Sequence, residues 1–170
     1  MDIITDLEKI QLITKENEEE NDFFLLFLKR QNTLLIDEIV HDLNVSVSSK
    51  IDCTQCGNCC MTLMIQVEKN EIDIVAAKLN LTVNEFRNKF IETGLGDKML
   101  MNSIPCAFLS DTKCSVYNER FSSCKEFPGL HLPHFTDRLF TVFMHYGRCP
   151  IIFNVIESLK ELTSFHSSDE

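Results

Sequence analysis

The sequence predicts a mainly α chain with a small β-hairpin, the hairpin belonging to an irregular, cysteine-rich region of α+β character. Three observations predict it. Apolar residues recur at helical spacing near both ends: Ile3, Leu7 and Ile10 at one, and Ile152, Val155, Ile156, Leu159 and Leu162 at the other. Eight cysteines fall between them, the tightest group being Cys53-Thr-Gln-Cys56-Gly-Asn-Cys59-Cys60. Two short extended runs, Leu100 to Leu109 and Cys114 to Tyr117, flank Ser110-Asp-Thr-Lys113, which carries turn-forming residues.

Taken in order, the first helix is carried by Ile3, Leu7 and Ile10 and is interrupted by the polar run from Lys15 to Asp22. Phe24, Phe27, Leu28, Leu35, Ile39 and Leu43 then fit one face of a long helix, with Asp22 as its cap and its end near Asn44. Val45 to Lys50 reads as a connector. Beyond the cysteine run, Thr62 to Val67 reads as a strand, and Ile72, Val75, Ala76 and Leu79 mark a helix from Glu71 to Leu79. Thr82-Val-Asn-Glu85 is a capping box, in which the threonine oxygen and the glutamate carboxylate satisfy N–H groups at a helix start. Phe86, Phe90 and Ile91 give that helix its apolar face and Gly94 stops it, so the two helices form a hairpin expected to cover the cysteine loop. Leu139 to Met144 reads as a further strand, with helix left open. Pro150 suits the first position of the closing helix and places Cys149 at its start, where free N–H groups and the helix dipole favour a thiolate.

The chain has 170 residues, for which one domain is the default and about 70% of the unfolded surface can be buried. The finer division predicted is a helical segment at 1–50 packed on a main domain at 51–163, with a polar, frayed tail at 164–170. The net charge is −10, with 16 basic against 26 acidic residues and no basic stripe to offset it. Such a surface repels a phosphate backbone, so nucleic acid is not expected as a partner. Acidic residues dominate Met1 to Asp22, which reads as a solvated leader. No signal peptide is legible, and the apolar run Phe23 to Leu28 is far shorter than the roughly 20 residues of a membrane span. The expected location is therefore the cytoplasm, with no membrane partner.

In a reducing compartment disulfides are rare, so clustered cysteines point to metal. Two-residue gaps let a tight turn aim successive thiolates at one point. Gly57 and Asn58 tolerate positive φ and allow the loop to curl around an ion. Eight sulfurs, Cys53, Cys56, Cys59, Cys60, Cys106, Cys114, Cys124 and Cys149, fit two four-thiolate sites. They equally fit one four-iron cluster on Cys53, Cys56, Cys59 and a remote cysteine, with ligands to spare for a second ion. The ferredoxin spacing is matched only in part, because Cys60 follows Cys59 at once. His131 and His134 are weaker nitrogen candidates. Arg120, ahead of Cys124, is placed either to donate hydrogen bonds to thiolates or to form a surface salt bridge. Asp111 and Glu126 have no paired acid at useful spacing, so no acid/base dyad is read.

The run Cys53 to Cys60, together with Pro105-Cys106-Ala-Phe-Leu, Cys114-Ser-Val-Tyr-Asn-Glu-Arg120, Cys124-Lys-Glu-Phe-Pro128 and Cys149-Pro150, resembles the YkgJ-type CxxCxxCC cysteine-cluster family. The resemblance spans Asp52 to Leu162. It implies a zinc- or iron-chelating domain, to which the cysteine count and spacing add the eight cysteines as expected metal ligands and an iron–sulfur cluster as one form of the site. One departure is Phe121, where the family usually has proline. The function this implies is a non-enzymatic metal-binding protein that stores, delivers or senses metal, or uses it structurally. The alternative is a metal-cluster-dependent enzyme, similar to relatives associated with flagellin lysine N-methylation. Against that stands the lack of a Gly-rich strand-to-helix motif for a methyl donor. Thiol redox work by Cys56-Gly-Asn-Cys59 lacks the surrounding βαβ pattern.

Overall fold

The computed structural model describes residues 2–165. Its helices are α1 (Leu7–Glu16), α2 (Glu18–Lys29), α3 (Thr33–Ser48), α4 (Cys53–Cys56), α5 (Asn58–Thr62), α6 (Ile72–Lys78), α7 (Val83–Phe90), α8 (Ser122–Glu126), α9 (Leu139–Met144) and α10 (Pro150–Leu162). The strands are β1 (Gln66–Val67), β2 (Ile91–Thr93), β3 (Met99–Met101), β4 (Leu109–Ser110) and β5 (Lys113–Cys114). The protein is thus mainly α with small antiparallel strands, as the sequence predicts. Among the described residues no helix is long and apolar enough to cross a membrane. Two compact units are present, one formed by Met1–Asp52 with Pro128–Glu170, the other by Cys53–Phe127.

In the first unit α1 starts where Asp6 Oδ1 accepts from the N–H groups of Glu8 (2.9 Å) and Lys9 (3.1 Å). Ile3, expected within this helix, lies before it. The adjoining Ile4 is paired through its backbone with Asn154: Ile4 N–H donates to Oδ1 at 2.9 Å, and Nδ2 donates to the Ile4 carbonyl at 2.7 Å. The polar run after Lys15 is helical from Glu18 onward, because Glu18, Glu19 and Glu20 meet the positive end of the α2 dipole. Asp22, the expected cap, therefore lies inside α2. The single long helix expected to follow is two helices. Asn32 Oδ1 accepts from Leu34 N–H and Leu35 N–H at 3.0 and 3.3 Å, which starts a new helix where the old one would have continued. α3 then runs through the expected connector to Ser48, since Val47 is buried and packing overrides its weak helix propensity.

α10 packs on α3 and α1, and α9 packs on α2. Phe24 is at the centre of an aromatic group with Phe27, Phe143 and Phe165 at ring separations of 5.9, 6.4 and 4.9 Å. Leu139–Met144 is a helix, not a strand: Leu139 and Val142 are buried at helical spacing while Phe140 is exposed. Pro150 occupies the first turn of α10 as expected, with Cys149 as its N-cap. Of the expected frayed tail, residues 166–170 lie outside the described residues.

In the second unit β3 is the centre of a three-stranded sheet ordered β1-β3-β2, with Gln66 opposite Leu100 and Ile91 opposite Met101. The expected strand from Thr62 is shortened to Gln66–Val67, since Thr62 closes α5. α6 and α7 pack together, and the capping box is present: Glu85 N–H donates to Thr82 Oγ1 at 3.3 Å and Thr82 N–H donates to Glu85 Oε2 at 2.8 Å. Gly94 does not stop α7. The helix ends at Phe90, where the chain enters β2, and Gly94 lies in the β2–β3 turn. The expected strand Leu100 to Leu109 is interrupted after Met101 and resumes at Leu109, with Pro105, which has no N–H to give a ladder, in the irregular segment between. β4 and β5 form the expected hairpin, with Leu109 opposite Cys114, although β5 ends at Cys114 and Tyr117–Glu119 is a 3₁₀ turn. The core consists of Val67, Ile72, Val75, Ala76, Phe86, Met101, Phe108, Val116 and Phe121, with Cys106, Cys114 and Cys124 packed against its edge.

Candidate metal centre

Seven of the eight cysteines lie in Cys53–Phe127, and the eighth, Cys149, belongs to the other unit, where it is buried at the start of α10. The CxxCxxCC run is two helical turns joined by one left-handed residue. Cys53 to Cys56 forms α4, Gly57 takes φ 61°, and Cys59 and Cys60 follow in α5. Asn58, read as a second positive-φ position, is instead the first residue of α5. Glycine is required at 57 for space as well as conformation: a Cβ there would lie 2.9 Å from the Thr112 carbonyl oxygen and 3.0 Å from its Cα. The run is thereby seated against the β4–β5 turn, and α4 packs on β5, the strand that ends in Cys114.

The other cysteines are brought in by backbone and side-chain ties. Cys106 N–H donates to the Cys60 carbonyl at 2.8 Å, fixing the Pro105 segment to α5. Cys124 lies in α8, which is started by Cys124 and Lys125 N–H groups donating to the Phe121 carbonyl, both at 3.0 Å. Ser123 Oγ donates to the Gln66 carbonyl at 2.9 Å and so ties α8 to β1. Phe121 takes φ −57°, close to the value a proline ring imposes, so its departure from the family pattern leaves the backbone path intact. Its buried ring instead packs toward Phe108.

The thiols of Cys59, Cys60, Cys106, Cys114 and Cys124 perturb one another's ionisation. A hydrogen bond from Cys60 holds the Cys59 thiol down at about 7, against the cost of its burial. Donating that bond raises Cys60 above the ordinary thiol range, and burial and the charges of Cys59, Cys106 and Cys114 add to the rise. Burial raises Cys106, with Cys114 and Cys59 contributing. Burial also pushes Cys124 up to about 12, helped by Cys106, Cys59 and Cys114 and opposed by Arg120. The charges of Cys59, Cys106 and Cys114 thus raise the thiols beside them, and a cation bound there would favour the ionised forms instead.

Among the described residues no three His, Cys, Asp or Glu side chains stand arranged to hold an ion as placed. The donor set nonetheless suits one chemically, because clustered thiols at the edge of a core are ligands for zinc, iron or iron–sulfur clusters. His131 and His134 are exposed and lie in the other unit, where Asp37 accepts from the backbone N–H groups of His134 and Phe135, both at 2.8 Å. Among the described residues Arg120 has neither a thiolate acceptor nor a surface salt bridge. It donates to the Tyr117 carbonyl at 2.7 Å, stacks over that ring at 3.9 Å, and acts on Cys124 through its charge. The Cys60–Cys106 backbone tie and the seat of Gly57 on Thr112 left no mark in the sequence.

No curated protein and no solved structure matches the chain. Residues 52–146 match the CxxCxxCC family model, described as a "putative zinc- or iron-chelating domain". The match covers more than half of the 170 residues, and this protein is therefore a member of the CxxCxxCC family.

Proposed function

We propose that Cys53–Phe127 binds zinc or iron through thiolates drawn from Cys53, Cys56, Cys59, Cys60, Cys106, Cys114 and Cys124, and that the metal organises this unit without a catalytic role. The observation that supports the reading is the joining of three separate segments: the Cys60 carbonyl tied to Cys106 N–H, α4 packed on the strand of Cys114, and Cys106, Cys114 and Cys124 packed against the same core. Seven sulfurs exceed the four that either a single tetrahedral site or one iron–sulfur cluster takes, which leaves donors for a second ion. Cys149, the eighth sulfur expected as a ligand, is buried at the start of α10 in the other unit. Cys53 is exposed, which gives an ion a solvent-facing ligand suited to storage, delivery or sensing. The charge of −10 favours cation capture and disfavours nucleic acid.

Protein purified without oxygen is expected to carry at least one equivalent of zinc or iron. Visible absorption that bleaches on reduction marks an iron–sulfur cluster, and a colourless sample with stoichiometric zinc marks the tetrathiolate form. Substoichiometric amounts of both metals in folded protein would overturn the proposal.

A further inference from the structure

An open groove of about 580 Å³ in the cysteine-bearing unit uses none of its cysteines; Glu68, Lys69, Asn70, Asp73, Val83 and Arg87 line it. Its size falls in the range of small-molecule sites, about 300–1,000 Å³. The informative residue is Arg87 on α7. Its Nε is buried and has no hydrogen-bond partner, and among the described residues no carboxylate lies within ion-pair distance of its guanidinium. Buried N–H donors in folded proteins almost always have an acceptor, so the unmet Nε marks this groove-lining guanidinium as one that the fold leaves unpaired, with donors to spare for a ligand.

The lining narrows the chemistry of that acceptor. Glu68 is already engaged, accepting from Gln66 Nε2 at 3.2 Å and capping the turn Lys69–Glu71. Glu71 is likewise held, accepting from the N–H groups of Glu68 and Ser122. Lys69 and Arg87 remain as cations, and Asp73 remains as an anion. Two acidic side chains on the wall oppose a polyanion, whereas the planar guanidinium fork matches a carboxylate. The geometry points to a binding site for a small monocarboxylate, held by the Arg87 fork with Lys69 as the second charge.

The test is a titration of the metal-loaded full chain with propionate, inorganic phosphate and chloride at equal ionic strength, read by the Arg87 side-chain N–H and the backbone amides of residues 68–73 and 83–87. Propionate is expected to shift these resonances saturably, with binding roughly tenfold weaker in Arg87→Gln and also weaker in Arg87→Lys, which keeps the charge and loses the fork. Equal shifts with chloride, tighter binding of phosphate, or undiminished propionate binding in folded Arg87→Gln would each overturn the site. Metal content is unaffected by either result, so this test stands apart from that of the metal centre.

Discussion

The two units solve the same problem with different materials. In Met1–Asp52 with Pro128–Glu170 the helices are long: α3 has 16 residues and α10 has 13. Their apolar stripes bury Ile10, Phe24, Leu28, Ile36, Val40, Phe153, Val155, Ile156 and Leu159. In Cys53–Phe127 the longest helix, α7, has 8 residues, and the strands have two or three. Elements that short do not hold themselves together in water. They are joined by single ties, such as Cys60 to Cys106, Ser123 to Gln66 and Glu71 to Ser122. Apolar packing explains the first unit, while the second has a small core with thiols packed against it, where the proposed metal would act as a further cross-link.

Removing the metal is the strongest way to break this comparison. A structural thiolate zinc site is worth on the order of 10 kcal/mol, so chelation or Cys59→Ser should open Cys53–Phe127 to amide exchange while α3 and α10 stay protected. Uniform protection of both units after metal loss would show that the core alone suffices. Phe24→Ala makes the opposite cut: a loss of about 3–5 kcal/mol in urea unfolding is expected, with metal per folded molecule unchanged. Loss of metal from the folded fraction would instead show that the units are not separable in this way.

Smaller changes sharpen the contrast. Gly57→Ala should cost about 2 kcal/mol or more, since it adds a left-handed non-glycine residue and a Cβ against the Thr112 backbone, and it should lower metal content. Gly96→Ala is the matched control, with φ 68° and nothing within 4 Å, so it carries the conformational cost alone and leaves metal content unchanged. Equal effects at both positions would remove the seat on Thr112 from the account. Thr82→Ala should cost about 1 kcal/mol by deleting the α7 cap, and Thr82→Ser should restore most of it in thermal melts.

Much of this was legible beforehand, and the misses have physical causes. The capping box at Thr82 and Glu85 and the Pro150 start of α10 are local, and both are present. Apolar spacing continues across the break after Lys29 and so predicts one long helix, while Asn32 starts a second helix with a side-chain oxygen that periodicity does not register. Leu139–Met144 was ambiguous because six apolar residues satisfy either period until neighbours bury Leu139 and Val142 together.

The sequence by itself determined the helical class, the caps and the cysteine pattern that marks the family, because each depends on residues within a few positions of one another. Contacts between distant segments set which thiols perturb one another's ionisation, seat Gly57 on Thr112, and leave Arg87 Nε without an acceptor among the described residues. No local spacing encodes how much of the surrounding backbone will satisfy a given thiol or guanidinium before a ligand arrives.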